Sequence, residues 1–174
     1  MKASMKTFIQ SGIVVLWSGI GLCFIILRIV LGINFSLECT QYLKRAADAN
    51  TVKLASENLN TAIEYLESRE LTNGIVSVIL KQPENDIGFW YSNLQSCQNE
   101  MKEIKPDATQ LEKSNVLMKL RETLLDNDKD GTKVTCPKGI SIYPNNKVYF
   151  LMIGFSTILT TFCGLGLAKE KGYI

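Results

Sequence analysis

The sequence predicts an all-α membrane protein in which two transmembrane helices flank an extracytoplasmic antiparallel helical bundle. Two uncharged apolar stretches, residues 8–27 and 148–168, lie near the two ends of the 174-residue chain. Of the 36 charged side chains, 30 lie between them, in residues 34–147, where apolar residues recur every three or four positions. The net charge of +2 excludes a strongly basic nucleic-acid binder, and the 46% hydrophobic content excludes a disordered chain.

The two apolar stretches predict transmembrane helices over residues 8–33 and 148–168. A helix needs about 20 apolar residues to cross a bilayer core, whereas buried helices of soluble proteins rarely exceed about 14. A cleaved signal peptide is the alternative for the first stretch. Its apolar region of 20 residues is longer than the roughly 7–15 typical of signal peptides, which favours an uncleaved signal anchor.

The short flanks of the two spans predict their orientation. Residues 1–7 and 169–174 together carry four lysines and one glutamate. Positive charge close to a span favours the cytoplasmic side, so both tails are expected there. Residues 34–147 are then extracytoplasmic, and we interpret the membrane as a bacterial inner membrane with this region in the periplasm.

Three amphipathic helices are expected between the spans. The first covers Ser36–Leu71, which lacks proline and glycine, and Asn73-Gly74 is its expected stop signal. The second covers Asp86–Lys105, and the third begins at Thr109 with a Thr-x-x-Glu capping box. None of these helices can bury its apolar face alone, so an antiparallel bundle is predicted. The apolar run Ile75–Leu80 fits either a strand or a buried helical turn.

A short irregular or β-hairpin-like segment is expected before the second span. Residues 133–135 and 140–143 alternate in the manner of strands, and Pro137, Gly139 and Pro144 are turn signals. Just before them, one stretch matches the first half of a calcium loop, with ligand positions at Asp126, Asp128, Asp130 and Thr132. The second half departs from the pattern, because Pro137 stands where a bidentate glutamate belongs. The two readings are a weak calcium site and a polar turn.

Cysteines and aromatic residues supply two further candidates outside the spans. Three cysteines lie there, so at most one internal disulfide can form, and Cys39 and Cys136 are the expected pair because both are near a span in sequence. Cys97 has a position in the apolar stripe of the second helix. The cluster Phe89, Trp90, Tyr91 is either a patch for a ligand or partner, or the cap of the bundle core.

Small residues form stripes along both spans, where they favour close helix packing. The predicted packing residues are Gly12, Gly19, Ser156, Thr160 and Gly164. The stripes serve either the contact between the two spans or a surface for another membrane subunit.

The sequence contains no histidine and no recognisable nucleotide or nucleophile motif, so we expect a non-enzymatic protein with no cofactor beyond weakly bound calcium. Tails of about six residues are too short to hold a signalling domain. A partner membrane protein or a second copy of the chain is therefore expected. The leading hypothesis is an accessory or scaffold subunit. The alternatives are an extracytoplasmic, sensor-like module that binds a ligand or ion, and a self-assembling pore or lesion protein.

Overall fold

A computed structural model describes residues 2–128 and 131–170 of the chain. The protein is mostly helical, and two of its helices are long and apolar enough to cross a membrane, as predicted. Helix α1 covers Lys2–Phe35 and α6 covers Asn146–Glu170. The chain divides into two compact units: the two long helices form one, and Gly32–Tyr143 forms the other, called the core unit below.

Four helices and one hairpin build the core unit. A π-helical turn, Ser36–Thr40, leads directly into α2, so no loop follows the first apolar helix. The remaining elements are α2 (Gln41–Ala47), α3 (Val52–Ser68), α4 (Ile87–Glu103), α5 (Gln110–Leu124), β1 (Leu125–Asp128) and β2 (Gly131–Val134). The predicted apolar stripes supply the buried residues, among them Leu59, Leu66, Leu94, Leu120 and Leu124.

The expectation of one helix over Ser36–Leu71 is wrong, because the chain turns between α2 and α3. Thr51 has an extended backbone, and its hydroxyl accepts a hydrogen bond from the Leu54 amide at 3.3 Å. Threonine is favoured at this N-cap position because its hydroxyl accepts a hydrogen bond from a backbone amide that has no carbonyl partner within the helix. The other two predicted starts are confirmed: Asp86 caps α4, and Thr109 with Glu112 forms the capping box of α5.

Helix α3 ends at Ser68, five residues before the expected Asn73-Gly74 stop. Glu70 adopts the left-handed conformation, with φ of 56°, and the Leu71 amide donates to the Leu66 carbonyl at 2.8 Å. These are the features of a Schellman cap, which satisfies the last carbonyls of a helix. The run Ile75–Leu80 forms neither a strand nor a helix; Ile75 makes a single bridge to Asp86, and Ile79 and Leu80 are exposed.

Replacing Glu70 with glycine should raise the free energy of unfolding by about 0.5–1 kcal/mol, because glycine adopts positive φ without steric cost. Urea unfolding of the full chain in mild detergent measures the change. Ser68→Gly is the control: it lies two residues earlier within α3 and should lower stability. Equal losses in both variants would contradict the assignment of Glu70 as the capping residue.

The hairpin forms from a different pair of segments than predicted. β2 pairs antiparallel with β1, in the register Leu125↔Val134 to Asp128↔Gly131. Residues 140–142, expected to alternate as a strand, form a 3₁₀ turn instead. Pro137 has no amide hydrogen to donate to a ladder, and Gly139 has φ of 91°, so the chain leaves the sheet before that segment.

Candidate functional site

The core unit has a cleft of about 780 Å³ between α4 and the hairpin. Its walls come from the Pro83–Asp86 turn, the start of α4, the β1–β2 hairpin and the segment Thr135–Lys138. Another groove, of about 830 Å³, lies between α2 and α3. That groove has no aromatic lining residue, and its Lys44 and Asp48 pair with each other at 2.7 Å. The cleft is therefore the stronger candidate for a binding site.

The turn before α4 is held in place by its own polar side chains. The Asp86 carboxylate accepts from the Phe89 amide at 3.1 Å and so caps α4. The Asn85 side-chain amide donates to Ser77 Oγ and Gln82 Oε1, both at 3.1 Å. These hydrogen bonds hold the backbone of the turn in place, and they thereby fix the position of Phe89 at the cleft.

The opposite wall is tied to α4, to α5 and to the turn before α4 by three hydrogen bonds. The Trp90 indole N–H donates to the Thr135 carbonyl at 2.7 Å, and the Thr135 amide donates to the Leu124 carbonyl at 2.8 Å. The Lys138 amide also donates to Asn85 Oδ1 at 3.3 Å. The cleft is thus a feature of the folded core unit and not of one mobile loop.

The cleft combines an apolar surface with charges of both signs. Phe89 is 67% exposed there, while Trp90 is only 7% exposed and forms part of the floor. Its lining residues include the acidic Glu84, Asp86 and Asp126 and the basic Lys133 and Lys138. Such a surface suits a small amphipathic molecule, with an apolar body against Phe89 and a polar end toward the charges.

The predicted aromatic cluster is divided between the cleft and the core. Phe89 and Trp90 line the cleft, whereas Tyr91 is 8% exposed and faces α3. The Tyr91 hydroxyl donates to Glu67 Oε1 at 2.5 Å and accepts from Gln95 Nε2 at 3.0 Å. Two members of the cluster are thus available to the candidate site, and the third joins α4 to α3.

Burial, together with the hydrogen bond to the Glu67 carboxylate, raises the pKa of Tyr91 from 10.0 to about 12. The folded state therefore favours the protonated phenol. The contribution of the protonated Tyr91 phenol to the free energy of unfolding should be complete below pH 10 and be lost as the pH rises from 10 to about 12. Tyr91→Phe lacks this group, so the difference in urea midpoint between wild type and variant should shrink across that range. A constant difference would contradict the hydrogen-bonded phenol.

The predicted calcium loop coincides with the hairpin. Asp126 and Asp128 lie on β1, and Thr132 lies on β2 opposite Asn127. Asp130 lies outside the described residues. Within residues 2–128 and 131–170, no three acidic or cysteine side chains come together in an arrangement that could hold a metal. Calcium binding at these residues stays a prediction.

The two apolar helices contact each other through a small-residue site that lies partly outside the predicted stripes. Ser156 is 2% exposed, and its hydroxyl donates to the Trp17 carbonyl. A Cβ at Gly21 would lie 2.5 Å from Ser156 Oγ, so a glycine is needed under that serine. The rings of Trp17 and Phe155 also meet edge to face at a centroid distance of 5.1 Å.

The glycines predicted to pack lie away from this contact. A Cβ added to Gly12, Gly19 or Gly164 would meet no atom within 4 Å. Thr160 Oγ1 is buried, with no hydrogen-bond partner among the residues that the structure describes. Of the five predicted packing residues, Ser156 is thus the one whose contact across the helix pair is seen.

The sequence prediction does not include Gly21, because the pairs Ser11-Gly12 and Ser18-Gly19, seven residues apart, favour Gly19 as the packing residue. It also missed Thr135 and Lys138, which line the cleft through contacts with residues about 45 and 53 positions away in sequence. The residues around Gly21 hold a usable signal, since Gly19 and Gly21 flank a single isoleucine. Nothing in the local sequence marks Thr135 or Lys138.

The predicted cysteines also lie within the core unit. Cys39, on the π-helical turn, is fully buried, and Cys136, after β2, is half-buried and lines the cleft. Cys97 is 6% exposed on α4, and burial raises its pKa. The chain matches no protein-family model, no curated protein and no solved structure, so its function is inferred from the cleft and from the surfaces of the apolar helices.

Proposed function

We propose that the chain is a non-enzymatic accessory or scaffold subunit of a bacterial inner membrane. Helices α1 and α6 cross the bilayer, both ends lie in the cytoplasm, and residues 34–147 lie in the periplasm. The spans and the periplasmic helices contact a membrane partner or a second copy of the chain. The excess of lysine in the flanks of the two spans supports this orientation.

The exposure of the apolar helices supports the membrane placement. Only 6% of the most apolar window of each helix is buried within the chain. A core helix of a soluble protein is mostly buried, whereas here large apolar side chains such as Phe8, Val15 and Phe162 are 71–80% exposed. Lipid is a medium in which such surfaces carry no penalty.

The observation that carries the scaffold proposal is the uncovered glycine face of α1. Gly12 and Gly19 are exposed and lie on one side of the helix, two turns apart, while α6 packs instead on Gly21. Small residues let helix backbones approach closely in a bilayer, where apolar burial gives little driving force. An uncovered glycine face therefore suits a helix from another subunit.

Purification of the full chain in mild detergent tests this proposal. We expect a stoichiometric companion, either another membrane protein or a second copy, which Gly19→Leu should remove or weaken. Gly154→Leu is the matched control, because a Cβ at Gly154 also meets no atom within 4 Å and that glycine lies outside the predicted stripes. A monomer without companion, or equal effects of both variants, would contradict the scaffold role.

Orientation is tested by labelling Lys53→Cys in intact cells with a membrane-impermeant maleimide. The Lys53 side chain is 89% exposed on α3, so the introduced thiol should react readily. Labelling without permeabilisation is expected for a periplasmic core unit. Labelling that requires permeabilisation would place residues 34–147 in the cytoplasm.

Ligand binding in the cleft is a second candidate function, favoured by one observation. The aromatic cluster and the acidic stretch, which sequence analysis treats as separate candidates, meet there through Phe89 and Asp126. Thermal unfolding with calcium and with a panel of small amphipathic metabolites tests this role. A ligand at 100 times its dissociation constant should stabilise the protein by about 2.7 kcal/mol.

A matched pair of variants separates cleft binding from general surface effects. Phe89→Ala should remove the response to a cleft ligand. Leu111→Ala should keep it, because Leu111 is similarly exposed, at 70%, but lies on α5 and does not line the cleft. An unchanged melting temperature throughout the panel would count against this function.

A further inference from the structure

The two apolar helices pair antiparallel within one compact unit, and two contacts fix which residues lie level with each other. A Cβ at Gly21 would lie 2.5 Å from Ser156 Oγ. Further along α1, the Phe24 ring meets the Tyr149 ring edge to face at a centroid distance of 5.4 Å. The start of α6 therefore lies beside the part of α1 that follows Phe24.

This pairing brings one cation of each helix to the same level. Arg28 follows Phe24 by four residues, about 6 Å along α1, and Lys147 precedes Tyr149 by two residues, about 3 Å along α6. Because the helices run in opposite directions, both displacements lead toward the same end of the pair. Arg28 and Lys147 are both exposed, and together they are called the cation band below.

The cation band lies at one edge of an uncharged stretch that is as long as a bilayer core is thick. The next charged residues toward the other end of the pair are Lys6 and Lys169, each 22 residues away along its own helix. Twenty-two helical residues rise about 33 Å, close to the roughly 30 Å of a hydrocarbon core. With Lys6 and Lys169 at one headgroup layer, the cation band lies at the other.

The cation band has no negative partner in its own compact unit. Arg28 and Lys147 form no ion pair within residues 2–128 and 131–170, which the structure describes. The sequence of this unit holds one acidic residue, Glu170, at the opposite end. Basic residues are also disfavoured beside the periplasmic end of a span, so the general charge rule does not explain the band. The balancing negative charge must come from outside this unit.

We propose that the cation band binds the headgroups of acidic phospholipids, such as phosphatidylglycerol, in the periplasmic leaflet. Phosphate oxygens accept hydrogen bonds from the Arg28 guanidinium, whose fixed fork of N–H groups matches phosphate geometry, and Lys147 adds a point charge. Tyr149 places an amphipathic ring next to the band, where headgroups meet hydrocarbon. This inference rests on the proposed membrane placement of α1 and α6 and adds a lipid class to it.

Lipid titration of the full chain tests the proposal. Protein purified in mild detergent is mixed with phosphatidylglycerol or with phosphatidylcholine of the same acyl chains, and native mass spectrometry measures the bound lipid. We expect wild type to bind phosphatidylglycerol at least about fivefold more tightly. Glycerophosphoglycerol, the same headgroup without acyl chains, should not compete at equal concentration, which separates a lipid from a soluble phosphate.

Charge variants locate the binding at the cation band. Arg28→Gln and Lys147→Gln should each weaken phosphatidylglycerol binding about fivefold, the usual effect of one basic residue at an acidic membrane surface. Arg28→Lys keeps the charge and should retain the affinity within about twofold. Lys53→Gln is the matched control, because it removes the same charge from α3, where the side chain is 89% exposed, and should leave the affinity unchanged. Should one glutamine variant fail to fold, the other variant and the wild-type preference still decide.

Several outcomes would overturn the proposal. Equal affinity of wild type for the two lipids, an unchanged preference in both glutamine variants, or the same loss in Lys53→Gln would each do so. Competition by glycerophosphoglycerol would assign the band to a soluble phosphate in place of a lipid.

Failure of the membrane placement is seen separately, by ultracentrifugation of a cell lysate without detergent. A chain that stays in the supernatant contradicts both the placement and the lipid site. A chain that sediments with the membranes but does not distinguish the two lipids contradicts the lipid site alone.

Discussion

Trp90→Ala is expected to lower the free energy of unfolding of the core unit by about 3–5 kcal/mol, the usual cost of truncating a buried tryptophan. Trp90 is 7% exposed, and its indole N–H donates to the Thr135 carbonyl at 2.7 Å. Truncation opens a cavity at the start of α4 and also removes that hydrogen bond. We expect the segment from Thr135 to Lys138 to lose its attachment to α4.

Urea unfolding of the full chain in detergent, combined with hydrogen exchange, measures this effect. Amides in β2 and α5 should exchange faster in Trp90→Ala than in wild type. Phe89→Ala is the matched control, since Phe89 is the adjacent residue but is 67% exposed, and its change should stay within about 0.5 kcal/mol. Similar losses of unfolding free energy in the two variants would contradict the assignment of Trp90 to the buried floor of the cleft and of Phe89 to its exposed surface.

Gly74→Ala is expected to have the next largest effect, for two additive reasons. Gly74 has φ of 116°, a conformation that costs a residue with a side chain about 1–3 kcal/mol. A Cβ at this position would also collide with the Tyr143 hydroxyl. Displacing that ring, which packs against the core, should cost about another 1–3 kcal/mol.

Gly131→Ala separates the two contributions. Its φ of 114° is almost the same, but a Cβ there meets no atom within 4 Å, so only the backbone strain applies. Urea unfolding of both variants should show the larger loss for Gly74→Ala. Equal losses of unfolding free energy would show that the Tyr143 ring moves away from the added Cβ without destabilising the fold.

Local signals made part of the fold predictable. The N-caps of α4 and α5 use side chains that hydrogen-bond to backbone amides within one turn: Asp86 in α4, and Thr109 with Glu112 in α5. Capping therefore depends only on residues that are close in sequence. The apolar stripes of α3, α4 and α5 were equally readable, because residues three and four apart share a helix face. Thr51 has the same capping chemistry, but the absence of proline and glycine from Ser36–Leu71 favours a single uninterrupted helix in the sequence analysis.

The hairpin and the cleft could not be predicted in the same way. The pairing of β1 with β2 competes with the helical pattern that ends at Leu124, and no local rule decides between them. The cleft depends on contacts such as Trp90 with Thr135 and Asn85 with Lys138, which join segments 45 and 53 residues apart. The left-handed position at the end of α3 is occupied by Glu70 and not by the usual glycine, so the sequence pattern predicts the helix stop at the next glycine along the chain.

The location of Trp90 gives the protein an intrinsic fluorescent reporter. The sequence has two tryptophans, and Trp17 lies on the first apolar helix, remote in sequence from the cleft. In a Trp17→Phe background, all indole emission comes from a ring that lines the cleft. A molecule that enters the cleft should change the wavelength or intensity of that emission, so occupancy can be titrated without attaching a dye.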